Sequence, residues 1–321
     1  MHRQLKLDFR TIQSELAAKP FISSSEFLGP VEDVFKTKEH GYRRIDQATF
    51  LHILNFEACQ TYSLAMTRPD LVCIQLTIAG TYSRNMGDHC AFVDRNTVQI
   101  TNYPSSASYT AAGTRLRGIM IVCERQHLLS HFGLRTEHIA PTHRPIFTSR
   151  MGAPHTLDLP MSRASLLIAD QILSCRYGEP LRGVFMSAKG LELVCGIVSQ
   201  INAMPAGRAP RIVGASSKLA AIGTAAEIYR REPHNPPTIA QLAQRVGLNR
   251  NDLTDGFKKA FGLTPHAYGH MARMEEAERL LRTGEISISE VARRIGYDGY
   301  SSFSRAYHAH FGRAPSSRHG T

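Results

Sequence analysis

Long apolar runs are missing from this sequence. No stretch of its 321 residues reaches the ~18 uninterrupted apolar residues of a membrane span, so no span is predicted. The start, MHRQLKLDFR, has no apolar run behind its basic residues and predicts no secretion signal. Cysteine is sparse: Cys59, Cys73, Cys90, Cys123, Cys175 and Cys195 are scattered, none in a C-x-x-C pair, and the chain beyond Cys195 has none. That spacing excludes a disulfide scaffold and predicts reduced, mostly buried thiols in a cytoplasmic protein. No basic cluster flanks any of them to mark a redox sensor. Also absent are the G-x-S-x-G elbow, the P-loop and the G-x-G-x-x-G turn, each of which places a nucleophile or a phosphate cradle. The sequence therefore predicts no enzyme, no cofactor and no metal. His127 and His131 stand four apart, a metal-ligand spacing on a helix. No acidic residue lies between them and the strands carry no H-x-H pair, so they and the neighbouring Cys123 read as structural.

What is present is ordinary in bulk and unusual in charge. Apolar residues make up 42% and charged residues 20%, as in soluble globular domains, and the length suits two of them. Lys and Arg number 38 against 27 Asp and Glu, a net +11, which favours a polyanionic partner. An anionic membrane surface or an acidic substrate stays open on charge alone.

Pro, Gly and Ser concentrate between Met204 and Ser217, and apolar periodicity stops there, predicting a linker over 205–217. Residues 1–204 are then one domain and 218–321 another. Both are basic: from Lys218 onward, 15 Lys and Arg stand against 10 Asp and Glu. The first domain reads as strands to about residue 135. Leu71–Ala79, Thr97–Ile100 and Leu116–Val122 are β-branched and apolar, with Asn102, Pro104 and Gly113 as turn residues between them. Short strands separated by turns predict a small barrel or jelly roll, cupin-like in outline, able to hold a small molecule in its mouth. Arg43, Arg44, Arg115 and Arg117 would favour an anion if they face it, and otherwise read as solvated surface charge. A short helix is predicted over Glu124–Phe132, closed by Gly133. Between 160 and 204, Ser162–Tyr177 and Gly183–Met204 carry apolar stripes at helical spacing. Those stripes suit covering the barrel or pairing with a second copy, and both remain open.

The C-terminal domain contains an internal repeat. Ile239, Leu242, Ala243, Val246 and Gly247 recur 49 residues later as Ile288, Val291, Ala292, Ile295 and Gly296. After one inserted residue, Leu253, Phe257, Phe261, Gly262 and Pro265 recur as Phe303, Tyr307, Phe311, Gly312 and Pro315. Thr238 and Ser287 suit N-caps, Gly247 and Gly296 suit helix ends with positive φ, and Gly262 and Gly312 stop a second helix. Two short helices about a glycine turn make a helix-turn-helix, predicted at about 238–262 and again at 287–312. Between them, 266–282 has apolar residues at helical spacing. These 17 residues span about 25 Å, against ~34 Å between successive major-groove faces. One chain would thus read two groove segments on one side of a duplex.

This C-terminal region resembles the DNA-binding domain of the AraC/XylS family of bacterial transcription regulators. The run from Ile295 to Pro315 carries the most specific part of the resemblance, joined by Leu253, Phe257-Lys-Lys, Tyr268, Arg273, Ala277, Leu280 and Leu281. It covers 218–318, a third of the chain. The upstream order of strand-rich domain, helices and linker is similar to ligand-sensing members, which commonly dimerise through that half. The resemblance implies base-facing positions at Asn251, Thr254 and Asp255 in the first unit and at Tyr300, Ser301 and Arg305 in the second. Arg305 can fork onto guanine and Asn251 can pair bidentately with adenine, while Arg250, Lys258 and Lys259 suit phosphates. Asp255 departs from the arginine of many members, and Gly256 beside it costs about 1 kcal/mol of helix propensity. The first unit is therefore expected to read more weakly. Tyr300 suits a thymine methyl.

The implied function is a DNA-binding regulator, commonly an activator, acting as a homodimer on promoter DNA and RNA polymerase under a small-molecule effector, with no membrane partner. The alternatives are an N-terminal domain used only for dimerisation or protein contacts, a barrel enzyme fused to a DNA-binding domain, and a non-specific nucleic-acid or membrane binder.

Overall fold

The structure, a computed structural model, describes residues 3–68, 70–80, 82–86, 89–93, 97–103, 105–149, 155–205 and 217–317. The predicted linker falls almost wholly outside them. The chain forms two compact units, one of residues 1–87 and 91–215, the other containing 216–321.

The first unit is built on two sheets. Five strands form one: β1 (Arg3–Asp8), β5 (Tyr62–Thr67), β7 (Tyr82–Met86), β8 (His89–Val93) and β10 (Ser105–Thr110), in the order β1-β5-β10-β7-β8. The second holds β2 (Phe21–Ser23), β3 (Phe35–Arg44), β4 (Thr49–Ala58), β6 (Leu71–Ala79), β9 (Thr97–Thr101), β11 (Arg115–Glu124) and β12 (Thr156–Pro160), ordered β12-β9-β6-β11-β4-β3-β2. All its pairings are antiparallel, and the three strands expected from sequence lie side by side in it.

Those three read as near-continuous apolar runs because both faces of this sheet are covered. Along β4, β6 and β11 one set of alternate residues, including Phe50, Leu54, Cys73, Met120 and Val122, enters the core between the sheets. The other set, including Leu51, Ile53, Ile74, Leu76, Ile119 and Ile121, packs under helices, since successive side chains leave a strand on opposite faces. The covering helices are α3 (Arg125–Ser130), α4 (Pro145–Thr148), α5 (Arg163–Leu173) and α6 (Leu181–Asn202). Ser162 caps α5 by accepting from the Ser165 N–H at 3.0 Å. By length and composition alone α6 could cross a membrane, yet Met186, Leu193, Val194, Ile197, Val198 and Ile201 are buried in this core. The stripes on α5 and α6 thus cover the sheet. Two further helices, α1 (Phe9–Ala18) and α2 (Ser24–Leu28), interrupt the strand-rich start.

The second unit is all helical: α7 (Ser217–Arg231), α8 (Ile239–Arg245), α9 (Arg250–Phe261), α10 (Pro265–Thr283), α11 (Ile288–Arg294) and α12 (Tyr300–Phe311). The strand-rich first unit and helical second unit give the mixed architecture read from the sequence.

The thiols depart from expectation. Cys73 and Cys123 are buried and Cys175 is half-buried, but Cys59 and Cys195 are exposed. Burial pushes the Cys123 thiol up to about 12.

Candidate nucleic-acid interface

Each repeat folds as a helix pair whose ends are fixed by the residues that recur. The Thr238 hydroxyl accepts from the Gln241 N–H at 3.3 Å, and the Gln241 side chain accepts from the Thr238 N–H at 2.9 Å, a reciprocal cap. Ser287 accepts from the Glu290 N–H at 3.2 Å. Gly247 (φ 69°) and Gly296 (φ 80°) turn the chain through the left-handed region; at Gly296 a Cβ would also lie 2.6 Å from the His234 carbonyl. The inserted residue lies in the second turn, where residues 295–299 connect the helices, against 246–249 in the first.

Leu253, Phe257, Ala260 and Phe261 bury one side of α9, and Phe303 and Tyr307 bury the matching side of α12. The connecting α10 holds both. Tyr268 on α10 packs its ring 5.3 Å from Phe257 and 4.3 Å from Phe261. Further along, Glu278 accepts from the Tyr307 hydroxyl, from Arg313 at 2.8 Å and from Arg282 at 3.1 Å. At 19 residues, α10 is about 28 Å long.

The outward faces carry the residues singled out from sequence. Arg250, Asn251, Asp255 and Lys258 are exposed on α9, as are Tyr300, Ser301 and Arg305 on α12. Thr254 is half-buried, and its hydroxyl donates to the Arg250 carbonyl at 2.9 Å. Arg305 leans along its own helix, Nε donating to the Ser301 carbonyl at 3.4 Å. Gathered on each helix are residues three and four apart, hence one face.

Charge pairing distinguishes these faces. Elsewhere in the unit exposed cations are neutralised: Lys218 by Asp252, Arg245 by Glu232, Arg279 by Glu276, Arg293 and Arg294 by Glu290. Arg230, Arg231, Arg282 and Arg313 also have carboxylate partners. Among the described residues of this unit, the exposed cations without one are Arg250, Lys258, Lys259 and Arg305, all on α9 and α12.

The structure corrects the reading of Gly256. A Cβ there would stand 2.4 Å from Ile222 Cδ1 and 2.6 Å from its Cγ1. Ile222 belongs to α7, a helix the sequence reading missed, which buries Ile222, Ala225, Ala226 and Tyr229. The glycine is a seat for α7 and not merely a weak point in α9.

The first unit holds a different cluster. Between its sheets lies a cavity of about 30 Å³, lined among others by His40, His52, Gln75, Tyr82 and Arg84, room for about two waters. The arginines expected to attract an anion lie elsewhere. Arg43 pairs with Glu179, Arg115 with Glu57 and Arg117 with Asp170, and Arg44 is exposed. Arg43 is itself only 2% exposed, but the buried arginines without an ion pair among the described residues are Arg68 and Arg84, each 1% exposed. Alternation on β7 puts Arg84 on the face of Tyr82, but Ser83 and Asn85 opposite are buried too, so no local pattern says which face looks inward.

His127 places Nε2 3.2 Å from Asp46 Oδ2 and stacks on His131, ring centroids 4.4 Å apart. Among the described residues no group of three His, Cys, Asp or Glu side chains is placed to hold a metal.

Comparison with known proteins finds two family matches in the chain. The family described as the regulatory protein PchR N-terminal domain matches residues 43–212, and a helix-turn-helix domain family matches residues 242–318. The regulatory protein PchR of Pseudomonas aeruginosa is 34% identical over 140 residues, 43% of this chain and 46% of that protein. The HTH-type transcriptional regulator AlkR of Acinetobacter baylyi is 30% identical over 83 residues, 26% of this chain and 27% of that one. The chain thus spans less than half the length of either curated relative. Among solved structures, an AraC-type regulator from Chromobacterium violaceum is 28% identical over 30% of this chain and 85% of its own, with a TM-score of 0.29. Apo ToxT from Vibrio cholerae is 12% identical over 85% of this chain and 97% of its own, with a TM-score of 0.35. The PchR-type match spans more than half of the chain and the helix-turn-helix match most of the remaining C-terminal third; the protein belongs to the AraC/XylS family of transcription regulators.

Proposed function

We propose that this regulator binds promoter DNA sequence-specifically in the cytoplasm, with α9 and α12 as two reading heads of one chain. The observation that carries the reading is the pairing pattern: among the described exposed cations of the second unit, Arg250, Lys258, Lys259 and Arg305 lack a carboxylate partner, on the faces that would meet a duplex. Arg305 and Asn251 read base edges, with Thr254, Asp255, Tyr300 and Ser301 beside them, while Arg250, Lys258 and Lys259 hold phosphates. Residues 1–204 sense and dimerise, and 218–321 bind DNA. A small-molecule effector in the barrel shifts the population of DNA-competent or polymerase-contacting states, and the regulator acts as an activator.

Self-association is supported by apolar surface that the core leaves uncovered. Leu181 and Val184 on α6 are 65% and 69% exposed, and Leu167 on α5 is 56% exposed. With Ala188, Leu191 and Cys195 they continue an alternating three- and four-residue spacing, the pattern of a helix that pairs with another. A second reading, in which the N-terminal unit only dimerises, draws on the nearly filled barrel.

Enrichment of random duplexes on the full-length protein at near-physiological salt tests the proposal. Specific reading gives an enriched site bound about 10³-fold or more tighter than scrambled duplex. Equal affinity for unrelated duplexes would leave only non-specific binding.

A further inference from the structure

Two arginines are sealed inside the first unit without an ion pair among the described residues. The Arg84 guanidinium donates to the Tyr82 hydroxyl at 2.7 Å and to Gln99 Oε1 at 3.5 Å, and its Nε has no partner. Arg68 donates to Cys73 Sγ at 2.9 Å, to Met120 Sδ at 3.6 Å and to Ser106 Oγ at 2.9 Å, again with Nε unpartnered. Among the described residues neither lies within 4 Å of a carboxylate. Asp158 hydrogen-bonds with Gln99 and acts on Arg84 electrostatically without an ion-pair contact, and burial pushes its carboxyl pKa up. A buried charge facing only neutral dipoles is costly unless something else pairs with it.

The walls around Arg84 supply the rest of a site. His52 stacks on Tyr42 at 3.9 Å and 15°, and His40 stacks on His52 at 5.2 Å and 24°. Phe35, Phe56 and Tyr62 line the same cavity. Burial lowers the His40 ring to about 3 and the His52 ring well below its ordinary value, so both are neutral and add no positive charge. His40 Nδ1, both nitrogens of His52 and the Tyr42 hydroxyl have no partner. A cluster of unsatisfied donors and acceptors inside a sheet core is what a polar ligand would complete.

Resting on the reading that the barrel holds an effector, we propose that this effector is an organic anion with a flat conjugated body, its acid group paired with Arg84. Its body lies against the rings of His40, His52, Phe35, Phe56 and Tyr62, and Arg68 adds to the positive field from behind. The present cavity is too small for such a molecule, so binding displaces lining side chains, Leu28 of α2 among them.

The test uses the full-length protein, two probes of one shape, and the variants Arg84→Met and Arg84→Gln. The probes are 2-naphthoate, which carries the acid, and 2-naphthamide, which does not. The expected result is a saturable rise of about 5–10 °C in the melting midpoint at a hundredfold excess of naphthoate over its Kd, with none from the amide. Both variants should lose that shift, and Arg84→Met should melt at or above the unliganded wild type because an unpaired charge is gone. Equal shifts from both probes would overturn the anion while keeping an effector in the barrel. If neither probe acts, the conjugated anion is overturned, and the unliganded midpoints then say only whether Arg84 is an unpaired charge (Arg84→Met melts higher) or structural (both variants melt lower).

Discussion

Replacing Gly256 with alanine sets two physical effects of known sign against each other. Alanine in mid-helix is favoured over glycine by about 1 kcal/mol, so a glycine that were only a weak point would give a more stable protein on substitution. Here the new methyl would lie 2.4 Å from Ile222 Cδ1 and 2.6 Å from Cγ1, against 3.4–4 Å for ordinary contact. Ile222 is 2% exposed and must withdraw by about 1 Å, an overpacking that costs about 1–3 kcal/mol. The net expectation is a loss of about 1 kcal/mol, or about 4–8 °C for a unit of this size. The sign reverses once the obstacle is removed: in an Ile222→Ala background, Gly256→Ala should stabilise by about 1 kcal/mol. Urea denaturation of the four proteins, followed by helical circular dichroism, closes the double-mutant cycle with a coupling of about 2 kcal/mol. Stabilisation by Gly256→Ala in the wild-type background, or a coupling near zero, would refute the packing of α7 on α9.

Arg305→Ala should remove about 1–3 kcal/mol of discrimination at one base pair, measured by competition among single-base variants of a selected site; an equal fall on scrambled duplex makes Arg305 a phosphate contact. Lys258→Ala should weaken every duplex alike and lower the salt slope by about one, read from affinities at graded salt. Below pH 6.5 the unfolded chain protonates His40 and His52 while the folded one holds them neutral down to about 3 for His40. Stability should therefore fall with pH from about 6.5 downward, by up to ~1.4 kcal/mol per pH unit for each ring. A His40→Phe variant should show the shallower slope in urea melts at pH 7 and 5.5, and an unchanged slope counts against the assignment. Val184→Glu should shift the full-length protein from dimer to monomer by light scattering, with its helical circular dichroism retained.

The helical unit was legible because its local signals and tertiary demands coincide. Thr238 and Ser287 cap helices, Gly247 and Gly296 take positive φ, and the buried face recurs at matched positions. What escaped was α7, whose buried face is only Ile222, Ala225, Ala226 and Tyr229. Small residues there give a weak periodic signal, and their worth depends on a glycine more than 30 residues away in sequence. In the first unit, continuous apolar runs marked the strands with both faces covered. The short α1 was hidden among strands although Asp8 caps it by accepting from the Arg10 N–H and Phe9, Ile12 and Leu16 line its buried side. Arginine carries no sequence mark of being inside. Arg115 and Arg117 sit on an apolar strand yet pair at the surface, whereas Arg68 follows a strand end and Arg84 lies in a polar one, and both are enclosed. Which arginine is buried depends on the closure of two sheets, a non-local property.

Whether one chain carries two reading heads is decided by footprinting a selected site with wild-type protein and with Asn251→Ala and Arg305→Ala variants. Two heads give two protected segments on one side of the duplex, about one helical turn apart, with Asn251→Ala weakening one and Arg305→Ala the other. A single protected segment that both substitutions weaken alike would contradict the assignment of α9 and α12.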